Sequence, residues 1–366
     1  MPQVTSIIQE DAEYVVDDLR PELVELSAAT VLITGAGGFL GSTLLDVIAA
    51  YNRSGPPRHC RAIAVDNYST GLPERIAHLE GDPDFDFVSQ DVTKPLDLKQ
   101  GIDWIIHGAS IASPIFYRRD PLAVIDVNVN GTWKVLELAR QGVRGMVFLS
   151  SSEIYGDPDA NSIPSPEDYL GNVSCTGPRA CYDESKRLGE TLCTTYQRIY
   201  GVPAKSVRPF NVYGPGQRLD DQRILPDLMA AAVAGRPLVL YSDGRATRSF
   251  CYIRDFIRGL LHVLIKGLPG EAYNVGNDEE LSIMEITKKM AAIAASPPLA
   301  IEQHLSDDAD YLTDNPQRRC PELTKLRSAT RWDTEIGIEE GLSRTLASYR
   351  EEEATYREEE ATKSRP

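Results

Sequence analysis

The sequence predicts an α/β fold in which a doubly wound parallel sheet is joined to a smaller C-terminal lobe. Short apolar runs alternate with helix-length segments, which is the pattern of a buried parallel sheet. Glycines directly follow the first run and open a helix. The predicted strands are Thr30–Thr34, Ala62–Val65, Phe85–Val88, Trp104–His107, Met146–Ser150 and Ala204–Arg208, and the predicted helices are Phe39–Ala50, Pro121–Arg140, Asp183–Tyr200, Leu225–Ala234 and Ile283–Ala295.

This alternation divides the chain into four parts. Residues 1–28 are predicted to form an acidic, helical extension, and residues 29–210 form the larger domain, which carries the glycines. Residues 211–345 form mainly the smaller lobe, with some segments that return to the larger domain. Residues 346–366 form a charged tail that contains the sequence YREEEAT twice. Because the repeat lacks paired apolar positions, we expect a solvated or frayed helix there.

Composition excludes several classes of protein. The 366 residues are 42% hydrophobic and 25% charged, the ordinary balance of a soluble globular protein. No apolar run approaches the roughly 18 residues that a membrane span needs, and the N-terminus has no signal-peptide pattern, so we expect no membrane partner and a cytoplasmic location. The net charge of −16 argues against nucleic acid as a partner but not against a small anion held by a few arginines.

The cysteines predict neither a disulfide framework nor a metal site. They are scattered and form no C-x-x-C pair, so reduced structural thiols are expected. The six positions are Cys60, Cys175, Cys181, Cys193, Cys251 and Cys320.

The glycines form a dinucleotide-binding motif. In TGAGGFLG, Gly35, Gly38 and Gly41 follow a strand and open the helix that begins with Phe39 and Leu40. Absent side chains let the backbone approach a pyrophosphate at the helix N-terminus, as in a Rossmann-type domain. Asp66 ends the next strand, where a carboxylate binds the ribose hydroxyls and repels a 2′-phosphate. The predicted cofactor is therefore NAD and not NADP.

A second motif predicts acid–base chemistry. Tyr182 and Lys186 lie four positions apart and share a helix face, so the ammonium is expected to lower the pKa of the phenol and let it remove a proton from a sugar hydroxyl. The strand that ends at Ser150 is followed by Ser151, Ser152 and Glu153. A serine hydroxyl there can hydrogen-bond the reacting oxygen, and Glu153 is placed to move a second proton in the same cleft.

These motifs resemble the extended short-chain dehydrogenase/reductases. The resemblance lies in the G-x-x-G-x-x-G spacing, the following VDNYSTG segment and the Tyr/Lys pair. It implies that Ser151 takes the usual Ser/Thr position of the catalytic set. It also implies that the cofactor is contacted by Asp66 and Asn67, by Asp91 and Val92 at the adenine, and by Ala109, with Asn128 as the structural asparagine.

Longer segments resemble the UDP-glucuronate decarboxylases, the UDP-xylose synthase family. They are GPRACYDESKRLGE, SSSEIYGDP, ASPIFYRRDP and DNPQRRCPE, and the resemblance covers roughly residues 31–341. It implies UDP-glucuronate as substrate, a homodimer formed through the helices Pro121–Arg140 and Asp183–Tyr200, and Arg319 as an active-site residue. Substrate contacts are implied for Tyr117 and Arg319 at the sugar, for Arg223 and Arg248 at the nucleotide, and also for Glu153 and Asn211.

The chain departs from the family at Ser151, where threonine is usual, at Cys320, where lysine is usual, and in GQRLDDQ at residues 216–222. Three other functions therefore stay open. A nucleotide-sugar 4,6-dehydratase also pairs an acid with a Tyr/Lys set, although it usually has Asp-Glu where this chain has Ser152-Glu153. A 4-epimerase does not need Glu153, and a non-catalytic NAD-binding regulator does not need the Ser/Tyr/Lys set. Whether a 4-keto pentose is reduced or released also stays open.

Overall fold

The computed structural model describes residues 4–96, 98, 101–304, 313 and 315–363, with the side chains of the last helix described to residue 357. Its centre is a parallel sheet of seven strands with helices on both faces. The strands are β1 (Thr30–Thr34), β2 (Arg61–Asp66), β3 (Phe85–Ser89), β4 (Trp104–His107), β5 (Gly145–Leu149), β6 (Ala204–Pro209), β7 (Val212–Tyr213), β8 (Leu238–Leu240), β9 (Thr247–Ser249), β10 (Cys251–Tyr252), β11 (Ala272–Val275), β12 (Glu280–Ser282), β13 (Ile301–Gln303) and β14 (Arg318–Arg319). The helices are α1 (Ser6–Asp18), α2 (Arg20–Leu23), α3 (Phe39–Arg53), α4 (Pro114–Arg119), α5 (Pro121–Asp126), α6 (Thr132–Ala139), α7 (Ala180–Tyr200), α8 (Ile224–Val233), α9 (Ile253–Lys266), α10 (Ile283–Ala294), α11 (Thr324–Thr330) and α12 (Ile338–Lys363).

The large sheet has the order β11-β6-β5-β4-β1-β2-β3. From β1 the chain adds β2 and β3 on one side of the sheet. It then crosses to the other side of β1, where β4, β5, β6 and β11 follow in that order. All neighbours are parallel, as in the register of Ile33 opposite Ala64 on one side and Ile106 on the other. The predicted α/β fold with a doubly wound sheet is confirmed, and the six predicted strands form with ends shifted by one residue at most.

The smaller lobe contains short sheets. Strands β12, β9 and β14 form one of them, β13 pairs with β8, and β10 pairs with β7. Strand β11, from the C-terminal part of the chain, completes the large sheet beside β6, and α9 packs on β5 and β6. The pairing of β14 with β9 sets Arg319 opposite Arg248.

The helices predicted as Pro121–Arg140 and Asp183–Tyr200 pack against each other. The first is divided, because a π-helical segment, Val127–Gly131, lies between α5 and α6. Such a turn changes the direction of the side chains within a helix. Here it contains Asn128, whose amide donates to Ser185 Oγ on α7 at 2.9 Å.

The N-terminal helix α1 packs onto the core. In α1, Ile8, Ala12, Val15 and Val16 are buried, and the helix packs against α3, α9 and α12. Apolar side chains at positions 8, 12, 15 and 16 form one helical stripe, which explains why this acidic segment is not solvated on all sides.

The expectation of a solvated or frayed tail from residue 346 is wrong for its first part. Helix α12 begins at Ile338, and Leu342, Leu346 and Tyr349 form a buried stripe along it. The stripe is not evident from the repeat, because Leu342 and Leu346 precede the repeat and only the first of its two tyrosines continues the stripe. The second, Tyr356, is 58% exposed.

None of the helices in the described ranges combines the length and apolar character needed to cross a membrane. Within the same residues, no group of three or more His, Cys, Asp or Glu side chains is arranged to hold a metal ion.

Candidate active site

A deep cleft lies at the carboxyl ends of the central strands, where the strand order reverses between β1 and β4. Ligands of open α/β sheets bind at such a switch point. We call its two parts the glycine end, formed by Gly35–Gly41 with Thr70 and Leu72, and the tyrosine end, formed by Tyr117, Glu153, Arg179 and Tyr182.

The glycine end is shaped by close backbone contacts. Gly35 has φ +74°, and a Cβ there would lie 2.8 Å from Ala109 N. A Cβ at Gly41 would overlap the carbonyl oxygen of Gly35. Gly38 precedes α3, whose first turn contains Phe39 and Leu40, and no acidic side chain occupies that turn. The N–H groups of this turn therefore face the cleft and can bind a phosphate.

Asp66 lies against the same turn. Its Oδ2 accepts the Gly37 N–H at 2.9 Å, and its Oδ1 accepts the Tyr68 N–H at 2.7 Å. Burial raises the pKa of the Asp66 carboxyl, although the backbone donors act in the opposite direction. The carboxylate thus stabilises both the glycine turn and the loop after β2. The tight backbone cradle and this carboxylate fit the pyrophosphate and ribose of NAD.

Four other predicted cofactor residues lie in the loops that follow β2, β3 and β4. The Ala109 N–H donates to Thr34 Oγ1 at 3.3 Å, and the exposed Asn67 caps its own turn by accepting from Ser69 N at 3.0 Å. Asp91 accepts from Thr93 N at 2.8 Å, and Val92 is buried.

Asn128 is fully enclosed. Its Oδ1 accepts from Ser110 Oγ at 2.7 Å and its amide donates to Ser185, so it joins the β4 loop to α7. This arrangement fits a residue that fixes the helix carrying Tyr182 and Lys186.

Tyr182 and Lys186 lie on one buried face of α7, as the spacing predicts. The Lys186 ammonium donates to the Leu149 carbonyl at 2.7 Å and lies 5.8 Å from the Tyr182 ring centroid. Burial lowers the pKa of Lys186 to about 7.

The expected lowering of the phenol pKa by Lys186 is not what the structure shows. Burial raises the pKa of Tyr182 to about 12, while a hydrogen bond with Ser151 and the charge of Arg223 act in the opposite direction. Burial disfavours both charged forms. It therefore raises the pKa of the phenol and lowers that of the Lys186 ammonium. A positive charge beside the phenol, such as the nicotinamide ring of NAD⁺, would favour the phenolate.

The three serines after β5 have different partners. Ser150 Oγ donates to Glu190 at 2.5 Å. Ser151 Oγ accepts the Glu153 N–H at 3.1 Å and thereby caps the short helical turn Ser152–Tyr155. Ser152 is buried at the start of this turn. Ser151 also forms a hydrogen bond with Tyr182.

Glu153 is held by arginines from distant parts of the chain. Arg179 Nη2 donates to its Oε2 at 2.5 Å, and Arg319 Nη1 donates to its Oε1. Arg319 also donates to the Gly156 carbonyl at 3.2 Å. Burial alone would raise the pKa of Glu153, but the charges of Arg179, Arg319 and Arg248 outweigh it and hold the pKa well below its usual range. Glu153 is therefore a carboxylate at neutral pH.

Arg248 is the third cation of this cluster. It donates to the Thr247 carbonyl at 2.7 Å and to Asn315 Oδ1 at 2.8 Å. Burial, together with the neighbouring charges of Arg319 and Arg179, lowers the pKa of Arg248 to about 9. The structure thus places Arg248 close to Glu153.

Tyr117 covers Tyr182. Their rings stack with centroids 5.4 Å apart and an interplanar angle of 16°. Within the described part of the chain, the buried Tyr117 hydroxyl has no hydrogen-bond partner. Asn211 and Arg223 line the same cleft, and Arg223 is paired with Asp221.

Arg179 is the functional candidate that the sequence reasoning missed. It lies in the GPRACYDESK segment without an assigned role, yet it lines the cleft and contacts Glu153. Its spacing of three residues from Tyr182 at the start of α7 would have placed both side chains on one side of the helix.

Comparison with known proteins assigns this architecture to a class. Residues 31–276 match the model of the NAD dependent epimerase/dehydratase family. The chain belongs to this family of extended short-chain dehydrogenase/reductases, as the motifs predicted, and its cofactor is NAD.

Individual relatives narrow the comparison. The chain is 36% identical to UDP-glucuronic acid decarboxylase 5 of Arabidopsis thaliana over 320 residues, which cover 87% of this chain and 89% of the relative. It is 33% identical to UDP-glucuronic acid decarboxylase 1 of Xenopus tropicalis over 90% of this chain and 74% of the relative. A crystal structure of UDP-glucuronic acid 4-epimerase from Bacillus cereus in complex with UDP-glucuronic acid and NAD matches with a TM-score of 0.72 and 26% identity, covering 87% of this chain and 98% of that one.

Proposed function

We propose that this protein is an NAD-dependent decarboxylase that converts UDP-glucuronate into UDP-xylose through a 4-keto intermediate. The observation that carries the proposal is Glu153, clamped by Arg179 and Arg319, at the tyrosine end of the cleft. Guanidinium groups bind carboxylates well because their planar fork matches both oxygens. A cluster with three arginines suits a sugar that carries a carboxylate of its own, and the decarboxylase relatives support this choice.

Tyr182 begins the reaction as the base for the hydroxyl at the sugar's 4-position. NAD, which the glycine turn and Asp66 would hold, would supply the hydride acceptor for that carbon and the hydride donor for the later reduction. The resulting 4-ketone is β to the 6-carboxylate, so the bond between carbons 5 and 6 can break. Carbon dioxide then leaves and the bonding electrons remain as an enolate. Protonation at carbon 5 and reduction of the ketone complete the pentose, with one proton consumed overall.

The arginines have different positions and therefore different proposed roles. Arg179 lines the cleft and Arg319 does not, so we assign Arg179 to the substrate carboxylate. Arg319 is only 2% exposed and reaches Glu153 from behind. We assign it to positioning Glu153, in place of the direct contact with substrate that the sequence suggested. We assign Ser152 and Glu153 to stabilising and protonating the enolate.

One incubation separates this proposal from its alternatives. The purified protein is given NAD with UDP-glucuronate, and the product is analysed by mass spectrometry. Loss of carbon dioxide from UDP-glucuronate is expected, and an unchanged mass with altered stereochemistry would indicate a 4-epimerase. Loss of water from UDP-glucose, which carries the 6-hydroxyl that a 4,6-dehydratase eliminates, would indicate a dehydratase. UDP-glucose, which lacks the carboxylate, is the control substrate. Absence of any turnover would favour a non-catalytic NAD-binding regulator.

We further propose that the protein forms a homodimer through α5, α6 and α7. Supporting this, these helices pack together and carry several exposed apolar side chains, a surface that water disfavours. They are Leu122, Ile125, Trp133, Leu188, Ile199 and Tyr200. Light scattering is expected to give a dimer mass for the wild-type chain and a monomer mass for Trp133→Glu. Leu268→Glu, which alters an exposed leucine elsewhere, is expected to stay dimeric.

A further inference from the structure

Arg75 is a buried arginine on the wall of the cleft that no motif explains. It ends the short helical turn Pro73–Arg75, and its side chain is 5% exposed. Nη2 pairs with Asp46 Oδ2 at 3.2 Å, but Nε and Nη1 have no hydrogen-bond partner within the described residues. Buried donors without partners are costly, so a cation in this state indicates a missing acceptor.

The backbone places Arg75 at the glycine end of the cleft. The Leu72 N–H donates to the Gly37 carbonyl at 2.9 Å, which fixes the turn that carries Arg75 to the glycine motif. Asp46 belongs to α3, the helix that the motif opens. Arg75 therefore lines the same cleft as Gly38 and the first turn of α3.

Neighbouring residues hold the guanidinium in this position. Asp46, which also pairs with His78 at 2.8 Å, fixes one edge of it. On another side, Gly216 leaves the space in which a Cβ would lie 2.9 Å from Arg75 Nε. Tyr349 of α12 donates to the neighbouring Gln217 carbonyl, so the last helix supports the loop that contacts Arg75. A guanidinium fixed in this way is preorganised for a ligand.

A second arginine near the glycine end, Arg218, uses its side-chain donors in hydrogen bonds within the protein. Arg218 forms two hydrogen bonds with Asp220, at 2.8 and 2.6 Å, and a third with the Thr70 carbonyl at 3.2 Å. The glycine turn and the start of α3 can contribute backbone N–H groups but no full positive charge. Of these two arginines, Arg75 is therefore the one whose buried side-chain donors are left for a pyrophosphate bound there.

We propose that Arg75 binds the pyrophosphate of NAD and completes the anion site formed by the N-terminus of α3. The proposal rests on the NAD site alone and does not depend on which sugar reaction follows. The same diphosphate chemistry exists in a UDP-sugar, but Arg75 pairs with Asp46 of α3, the helix that the glycine motif opens, and its turn is joined to Gly37 through the Leu72 N–H.

Competition binding on the full chain tests this role. Labelled NAD is displaced by ADP-ribose, by adenosine or by UDP, and the affinities are compared between the wild-type chain and Arg75→Gln. Loss of hydrogen bonds to a charged group predicts a roughly 10–100-fold weaker affinity for NAD and ADP-ribose. Adenosine, which lacks the pyrophosphate, should change less than about twofold. Arg218→Gln is the matched control, and its ratio of ADP-ribose to adenosine affinity should stay close to that of the wild type.

Arg75→Lys keeps the charge and most of the packing, so it tests the proposal even if Arg75→Gln does not fold. It is expected to lower the ADP-ribose to adenosine affinity ratio by an intermediate factor, because an ammonium lacks the fork. An unchanged ratio in Arg75→Lys and in any folded Arg75→Gln would overturn the proposal and leave Arg75 a packing residue. Weaker UDP binding with unchanged ADP-ribose binding would assign Arg75 to the substrate and overturn it equally.

Discussion

The glycine end and the tyrosine end of the cleft are constructed differently. At the glycine end, the backbone of one continuous turn, Gly35–Gly41, forms the surface, and Asp66 stabilises it from the next strand. At the tyrosine end, side chains from α4, the turn after β5, α7 and β14 converge, and Glu153 meets Arg319 across 166 positions of sequence. The first end depends on local conformation and the second on tertiary packing. Substitutions at the glycine end should therefore change cofactor binding, and substitutions at the tyrosine end should change the chemical steps.

The largest expected effect is at Tyr182. Tyr182→Phe keeps the ring stacked on Tyr117 but removes the group that accepts the sugar proton, so hydride transfer should fall by ~10²–10⁴-fold. Appearance of bound NADH after mixing with UDP-glucuronate measures this step, and NAD affinity should stay close to that of the wild type. Tyr196→Phe, on the same helix but paired with Glu137, is the control and should turn over normally. Near-normal NADH formation in Tyr182→Phe would remove Tyr182 from the reaction.

Arg319 gives the next largest effect. Among the described residues, Arg319→Ala leaves the Glu153 carboxylate with Arg179 as its one ion-pair partner, so Glu153 should lose its fixed orientation. Carbon dioxide release should slow by an amount equivalent to ~2–4 kcal/mol, the cost of removing one preorganised group from a site of developing charge. Because the ketone still forms, the cofactor should accumulate in its reduced form. Lysine should rescue poorly, since it cannot bind Glu153 and the Gly156 carbonyl with one planar group.

Two measurements decide the Arg319 prediction. Carbon dioxide release and bound NADH are followed together in one reaction. Arg318→Ala, which removes the exposed neighbour paired with Glu280, is the matched control. Parental carbon dioxide release by Arg319→Ala would show that the contact with Glu153 has no role in the reaction.

This difference between the two ends of the cleft also explains which parts of the site can be predicted from the sequence. Gly35, Gly38, Gly41 and Asp66 belong to adjacent elements, so their spacing alone specifies the turn and its carboxylate. Tyr182 and Lys186 share a helix face for the same local reason. The complete clamp on Glu153 is not predictable from spacing, because Arg319 reaches Glu153 only after β14 pairs with β9.

The ends of the chain show the same limit. The sequence indicates a helix in the N-terminal segment but not its burial against α3, α9 and α12. In the tail, the charged residues of the repeated heptad predict a solvated helix. Leu346 and Tyr349 are nevertheless buried, because they continue the stripe begun by Leu342. The burial of both segments depends on the elements that pack against them and not on helical propensity.

At the glycine end, Asp66→Ala should weaken NAD binding by ~10-fold, since a hydrogen bond to a charged group is lost. NADP should be affected less, because the carboxylate that repels its 2′-phosphate is also removed. Asp86→Ala, on the neighbouring strand and paired with the exposed Arg61, is the control. Equal weakening of both cofactors would mean that Asp66 acts only by holding the Gly37 and Tyr68 N–H groups.

The smallest expected effect concerns Lys186, which lies where the two ends meet. Burial lowers its pKa to about 7 in the folded chain, from an ordinary value of 10.5 for an exposed lysine. Between these values the unfolded chain binds more protons than the folded one, so the free energy of unfolding rises with pH. The cost of the buried ammonium is fully present below pH 7 and disappears as the pH approaches 10.5. Relative to Lys186→Met, the wild type should therefore gain about 1 kcal/mol of stability between pH 6 and pH 8.

Denaturant unfolding of both chains at the two pH values measures this gain. Lys205→Met is the matched control, because burial lowers the pKa of Lys205 only to about 8 and its ammonium donates to the Leu264 carbonyl. Its linkage window lies higher, so the corresponding gain should be under about 0.5 kcal/mol. If the stabilities of the wild type and Lys186→Met change in parallel between pH 6 and pH 8, Lys186 keeps its proton through this range. Its ammonium is then held by the Leu149 carbonyl more strongly than burial opposes it, and the pH dependence of catalysis must originate in another group.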